Sequence, residues 1–401
     1  MRIRIFIAAI LTACASAFGF NADSLRVSFV NFYPGSDIWT LEGHSALRLQ
    51  FPGDSLTGKF DLAVNYGIFD FNQSDFVYRF VKGETDYRVE AYDWSWCEND
   101  YASEGRRIVE HPLRMDSLQK ARLFDLLLIN LQPENQTYRY NYVKDNCATR
   151  PLRIVELAIG DSIILSTPEC EAVSKDDETS FRDVMRHYHR NYPWYQLGID
   201  LALGSGIDYP IDSREMSFAP VLLDLQLLNV TVSGHRLTDE PIIINEGHDA
   251  TDGPTPWYAT PMFVFCMVLV AITLITWRDM RRRKVTRWVD AVLFFVYGLA
   301  GLLLSFLIFV SSHEATSPNW LYLWLNPLCL IVPIFIWTKK GQRVVLYYYY
   351  INTALILTMA IAWPFTGQSG NVAFAPLIAC DVMRSLSYIY VYRKNKKKTN
   401  R

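Results

Sequence analysis

Five apolar segments in the C-terminal third constrain this chain more than any other feature. They lie near 258–277, 288–311, 320–338, 344–363 and 372–392. Each approaches the roughly 20 residues that a helix needs to cross a hydrocarbon core. Five such runs in succession suit a membrane domain and not the buried helices of a soluble one. The loops between them alternate in basic content. "RDMRRRKVTR" (278–287), "KKGQR" (339–343) and the tail "RKNKKKTNR" (393–401) are strongly basic, whereas "SHEATSPN" (312–319) and "PFTGQSGN" (364–371) hold no Lys or Arg. By the positive-inside rule the basic loops and the C-terminus face the cytoplasm, and everything before Trp257 faces outward. An odd number of spans agrees with that. Trp257, Tyr258, Trp277, Trp320 and Trp363 cluster at segment ends, as an aromatic belt does. In the fifth segment Asp381 and Arg384, three apart, are placed to pair on one helix face. No chain of carboxylates and no matched pair of broken segments points to a transporter.

The 401 residues carry a formal net charge of −2, and the acids lie mostly before residue 253. No basic stripe and no Arg–aromatic interleaving is present, which excludes a nucleic-acid partner. The N-terminus, "MRIRIFIAAILTACASAFGFNADS", has two arginines, a short apolar core and then small residues, the layout of a secretory signal peptide over 1–22. "LTAC" ending at Cys14 also fits a lipobox, and retention as an uncleaved anchor is a third reading. Cys266, Cys329 and Cys380 fall in apolar runs, which leaves Cys97, Cys147 and Cys170 in the exported part. An odd number there points to an unpaired thiol or an intermolecular bridge. A Cys97–Cys170 disulfide with Cys147 free is one way to satisfy it.

The exported part reads as strands first. "LRVSFVNFY" (25–33), "SALRLQF" (45–51), "DLAVNYGIFDF" (61–71), "YRVEAYD" (87–93) and "RIVEHPLRM" (107–115) are rich in β-branched and aromatic residues and separated by turn residues. "DSLQKARLFDLLLINL" (116–131) then changes to helical period, and Asp116 with Gln119 resembles a capping box. A further helix begins at or just after Asn146. Strands followed by helices predict an α+β domain. It is expected over 23–230, with 231–257 as short strand and linker, the five-helix membrane domain over 258–392 and a basic tail over 393–401.

In "KDNCATRPLRIVELAIG" (144–160) Asn146 can cap the helix, which puts Cys147 in its first turn. Free N–H groups and the positive end of the helix dipole favour a thiolate there and can hold an oxyanion. A nucleophilic thiol needs a base. His44, in "LEGHSALRLQF", opens a strand and occupies a rim position where an imidazole can face a helix N-terminus. His111 beside Pro112 reads as structural. His187 and His189 lack a third ligand nearby, so no metal and no other cofactor is expected. A buried Cys147 with His44 as a simple cap is the bland alternative to a dyad.

"FYPGSDIWTLEGHSALRL" (32–49), "NYGIFDF" (65–71), "FVKGETDYRV" (80–89) and "YNYVKDNCATRPLRI" (140–154), in that order, resemble the bacterial Lnb N-terminal periplasmic domain family across roughly 25–230. The resemblance implies a circularly permuted NlpC-type, papain-like thiol enzyme, the superfamily that includes the lecithin:retinol acyltransferases. It implies Cys147 as nucleophile and His44 as base. It also implies a membrane-bound acyltransferase of the bacterial inner membrane. Such an enzyme passes an acyl chain from a phospholipid to the α-amine of a diacylated lipoprotein. Asn65 and Asp70 are the candidates to orient His44, on opposite faces of their strand unless a bulge intervenes. Arg48, Lys82 and Arg150 are candidate head-group contacts, and Asn146 and Thr149 candidate supports of the Cys147 turn. A cell-wall peptidase or amidase would use the same dyad but needs no membrane domain. A non-catalytic envelope scaffold would leave Cys147 dispensable.

Overall fold

A computed structural model describes residues 21–53, 58–70, 75–176, 178–248 and 250–399. The expected leader, including Cys14, lies outside the described residues up to residue 20. The chain divides into two units, one of residues 1–188 with 210–253 and one of residues 189–209 with 254–401.

In the first unit the described residues form a seven-stranded antiparallel sheet. Its strands are β1 (Arg26–Phe32), β2 (His44–Phe51), β3 (Phe60–Ile68), β4 (Asp86–Asp93), β5 (Ile108–Pro112), β6 (Thr137–Arg139) and β7 (Ile242–Asn245), in spatial order β7-β5-β1-β2-β3-β4-β6. The helices that matter are α1 (Phe76–Lys82), α2 (Trp94–Ser103), α3 (Ser117–Leu131), α4 (Thr149–Ile159), α5 (Phe181–Tyr188) and α6 (Pro220–Leu227). Strands and helices mix in one domain as expected, but α1 and α2 fall between strands where the sequence reading has strands first and helices after. The sheet takes in β7, so it runs past residue 230, where the sequence reading ends the domain and begins a linker.

Strand alternation sorts the sheet into two faces. Val27, Phe29, Leu47, Leu49 and Val64 pack under α3, α4 and α6, meeting Phe124, Leu152, Val155 and Leu223. Val30, Phe32, Ala46 and Ala63 face the other way, against Trp94 and Cys97 of α2. The capping box expected at α3 is present: Gln119 N–H donates to Asp116 at 2.8 Å, and Asp116 N–H donates back to Gln119 at 3.0 Å. The sequence reading does not anticipate α2. Its signal is there, because Trp94, Cys97 and Tyr101 recur at helical spacing behind the N-cap Asp93, which accepts from Ser95 N–H at 2.9 Å.

In the second unit four helices among the described residues are long and apolar enough to cross a membrane: Pro261–Arg282, Arg287–Phe309, Lys339–Phe365 and Phe374–Lys396. The segment expected as a third crossing is different. It folds as short pieces, Trp320–Leu323, Pro327–Leu330 and Ile331–Phe335. Asn319 accepts from Leu321 N–H and Asn326 from Leu328 N–H, each at 3.1 Å, so each asparagine restarts the helix. Pro327 and Pro333 have no N–H to continue it.

The expected Asp381–Arg384 pair does not form. Arg384 reaches across helices, donating to Asp290 at 2.5 Å, Asp279 at 3.0 Å and Thr276 at 3.1 Å. Asp381 accepts instead from Asn352 at 2.5 Å and Ser385 at 3.1 Å. In a low-dielectric interior a guanidinium between two carboxylates is stabilised better than beside one. Arg384→Leu leaves those carboxylates without their cation, a loss on the order of 3–5 kcal/mol. The expected result is a thermal unfolding midpoint several degrees lower for the full chain in detergent. An unchanged midpoint would mean the cluster is solvated.

Candidate active site

The start of β2, the end of β3 and the mouth of α4 meet at one rim of the sheet. Asn146 shapes the mouth. Its side-chain oxygen accepts from Ala148 N–H at 2.9 Å and Thr149 N–H at 3.0 Å. Its amide donates to the carbonyls of Tyr142 at 2.8 Å and Phe218 at 2.7 Å. The Thr149 hydroxyl accepts from Asn146 N–H at 2.9 Å. The expected supports are therefore in contact. The helix starts at Thr149, so Cys147 precedes the first turn and does not sit within it. Pro151 falls where a helix N–H has no partner to lose.

His44 enters from the opposite face of the sheet. Gly43 before it has φ +86°, and a Cβ there would lie 2.6 Å from the Phe32 carbonyl oxygen, so only glycine makes this turn without strain. The ring of His44 stacks 6.0 Å from Phe32 and 6.1 Å from Tyr101 of α2. Its Nε2 lies 3.0 Å from Asn65 Oδ1. The Asn65 amide donates to the Ala63 carbonyl at 3.3 Å. That fixes the oxygen toward the imidazole, so Nε2 carries the proton and Nδ1 is left as the basic nitrogen. Of the two orienting candidates the structure brings Asn65 to His44. Asp70 is exposed, past a register shift between Asn65 and Ile68.

Cys147 is tied to the strand of His44 by the backbone N–H of Ser45, which points at its thiol, as do its own N–H and the Tyr140 hydroxyl. Gly67, at φ +89°, lies between them: a Cβ there would sit 3.3 Å from the Tyr140 ring and 3.6 Å from the Cys147 Cβ. Burial nevertheless dominates and pushes the thiol up to about 11, with the nearby Glu42 carboxylate adding to it and the three donors opposing it. Burial also pushes His44 down to about 4; the Asn65 hydrogen bond opposes this and Arg106 reinforces it. His44 as a residue is only partly buried, so water entering the site would move it back toward its ordinary value. The expectation of a depressed thiol pKa is thus overturned. Both shifts favour the uncharged forms, thiol and imidazole, at neutral pH.

The sign of the pH dependence follows. Because the thiol pKa lies above neutrality, the thiolate fraction grows about tenfold per pH unit between pH 7 and 10. Alkylation of Cys147 by iodoacetamide, followed by peptide mapping, should climb with that slope. A plateau reached below pH 7 would show a preformed thiolate–imidazolium pair instead.

The candidate head-group residues are placed differently from one another. Arg48 is buried 3.9 Å over the Trp94 ring, bidentate to Asp61 at 2.9 and 2.7 Å and bonded to Glu110 at 2.8 Å, which makes it a brace of the sheet. Arg150 holds Asp145 at 3.0 and 2.8 Å and stacks 3.7 Å over Tyr138, securing the turn before Cys147. Lys82 sits on α1 in an ion pair with Glu84 at 2.8 Å. The six cysteines among the described residues are free, so Cys97 and Cys170 form no disulfide. Cys97 is instead core beside Trp94 and Ala63. His111 is buried with Nε2 2.7 Å from Asp224, as a structural histidine should be. His187 lies on α5, and His189 is bonded to Gln196 at 2.8 Å. Tyr101, Tyr140, Gly67 and Glu42 are site residues that sequence spacing does not single out.

Two family models match the chain: the Lnb N-terminal periplasmic domain over residues 17–173 and the Lnb transmembrane domain over residues 254–396. No curated protein and no solved structure gives a match. Both matches agree with the two units, a mixed α/β one that holds Cys147 and His44 and a helical one with membrane-crossing helices. The chain is therefore an Lnb-like inner-membrane protein, in which a match to the periplasmic domain is followed by a match to the transmembrane domain.

Proposed function

We propose that this protein is a lipoprotein N-acyltransferase that works through a thioester on Cys147. The observation that carries the reading is the convergence at one rim of a thiol ringed by three donors and an imidazole whose Nε2–H is held by Asn65. The Lnb matches and a membrane-spanning unit support a lipid substrate.

His44 Nδ1 takes the Cys147 proton as the sulfur attacks the ester carbonyl of a phospholipid. A C–S bond forms and the carbonyl electron pair moves to oxygen. The N–H groups of Ser45 and Cys147 and the Tyr140 hydroxyl are the donors that can hold that oxyanion. Collapse breaks the ester C–O bond, and the leaving alkoxide takes the proton from His44. The α-amine of a diacylglyceryl-cysteine then attacks the thioester. His44 accepts its proton, the C–S bond breaks, and the proton returns to sulfur. The balance is ester plus amine to amide plus alcohol. Burial of the site disfavours water as the acceptor. The basic loops and tail support a cytoplasmic C-terminus with the Cys147 unit in the periplasm. The broken segment Trp320–Phe335 would supply the fifth crossing that this orientation needs.

Mass spectrometry of lipoprotein N-terminal peptides tests the reading in cells where this protein is the only N-acyltransferase. An amide-linked third acyl chain is expected with the wild type and none with Cys147→Ala at equal protein level. Cell-wall fragments changing while acylation stays constant would favour peptidase chemistry.

A further inference from the structure

We infer that α1 is a lipid-docking helix that feeds an acyl chain to Cys147, a step that rests on the acyl-transfer reading. Three of its seven residues expose large apolar side chains: Val77 is 73%, Tyr78 56% and Phe80 49% exposed. Exposing so much apolar surface on one short helix costs free energy in water, and such patches mark contact sites. The helix ends at Gly83, whose φ of 76° closes it, and its buried Phe76 anchors it to the domain.

What lies behind the helix identifies the occupant. Phe80 stacks on Phe76 at 6.0 Å, Phe76 on Phe69 at 5.7 Å, Phe69 packs on Tyr87 at 5.2 Å, and Tyr87 stacks on Tyr140 at 4.1 Å. Tyr140 lies beside Cys147, since a Cβ on Gly67 would sit 3.3 Å from the Tyr140 ring and 3.6 Å from the Cys147 Cβ. A continuous row of rings therefore runs from the exposed helix to the nucleophile. Phe76 and Tyr87 are buried, whereas Phe80, Phe69 and Tyr140 keep part of their surface open, so a hydrocarbon chain would lie along these three with its ester at Cys147.

The rim carries charges of both signs. Arg79 pairs with Asp86, Lys82 pairs with Glu84 at 2.8 Å, and exposed Arg139 adds a further cation at the Glu84 end. A balanced rim complements a zwitterionic head group, phosphate against the cations and amine against the acids. It does not call for a strongly anionic surface. Tyr78, with Lys82 Nζ 6.0 Å from its ring centroid, presents an apolar body and a polar tip of the kind that settles at a membrane interface.

The test uses the full chain in nanodiscs of phosphatidylethanolamine and phosphatidylcholine. Two rates are measured on the same sample. One is acylation of Cys147 by the bilayer lipid, read by intact mass. The other is reaction of Cys147 with water-soluble p-nitrophenyl acetate. Val77→Asp combined with Tyr78→Asp should slow the first by about tenfold or more and leave the second within about twofold, as expected when two apolar anchors no longer enter the lipid. Val77→Leu with Tyr78→Trp should keep both rates. Wild-type lipid acylation retained in the Asp variant overturns the inference while leaving acyl transfer intact. Equal loss of both rates overturns it too, since α1 would then merely support Cys147. Normal acylation with slow transfer to an acceptor lipopeptide would assign the face to the lipoprotein and also overturn it. A wild type that never acylates Cys147 removes the acyl-transfer reading itself.

Discussion

Cys147→Ala is expected to abolish the proposed acyl transfer, with turnover falling on the order of 10⁵–10⁶-fold, the scale seen when a covalent nucleophile is removed. In the proposed route the Cys147 sulfur takes up the acyl group. The donors around it, Ser45 N–H, Cys147 N–H and the Tyr140 hydroxyl, remain in the variant and can polarise an ester but cannot hold it covalently. Cys147 is nearly buried at 9% exposure, and its helix is capped by Asn146, so loss of the side chain leaves the turn standing. Steady-state release of lysophospholipid, measured with the thermal midpoint as a control for folding, separates chemistry from stability. A residual rate within about tenfold of wild type would exclude a thioester route.

His44→Ala has the second largest effect, a fall of about 10²–10⁴-fold in turnover, the range for loss of a positioned general base. Burial favours the neutral thiol, so removing the imidazole removes the proposed acceptor of its proton at pH 7. Part of the lost rate should return as pH rises toward the thiol pKa of about 11, because the thiolate then forms unaided. That partial recovery in alkaline buffer distinguishes a base from a residue that only packs the site. Asn65→Ala should fall less, by about tenfold, since it frees the ring to rotate without removing the proton acceptor. A His44 variant with wild-type turnover at pH 7 would contradict the dyad.

The sequence discloses local features well. Asn146 before Cys147 forecasts the capped mouth of α4, and the glycine before His44 forecasts a turn that opens β2. Asp116 and Gln119 forecast the capping box of α3. Each of these depends on residues within four positions of one another. What is not legible depends on distant partners. Arg48 reads as a candidate head-group contact until Asp61 and Glu110 close on it from two other strands. Asp381 and Arg384 look like mates on one helix, yet Arg384 finds Asp279 and Asp290 on other segments. The thiol pKa fails for the same reason. The helix mouth is visible in the sequence, but two of the donors at the thiol come from the distant Ser45 and Tyr140, and the burial that outweighs them is a property of the packed domain. The ring of Tyr101 over His44 comes from α2, whose helical spacing is short and easily read as the end of β4. At the third apolar segment hydropathy counts residues and overlooks the breaks that Asn326, Pro327 and Pro333 impose.

The most direct measurement is the intact mass of the purified full chain after incubation with phospholipid nanodiscs and no acceptor. The account predicts a mass increase of one acyl group on Cys147 that neutral hydroxylamine removes and that a diacylated lipopeptide discharges into an amide. Lysophospholipid or amide product formed at full rate with no acyl group ever carried on Cys147 would contradict it.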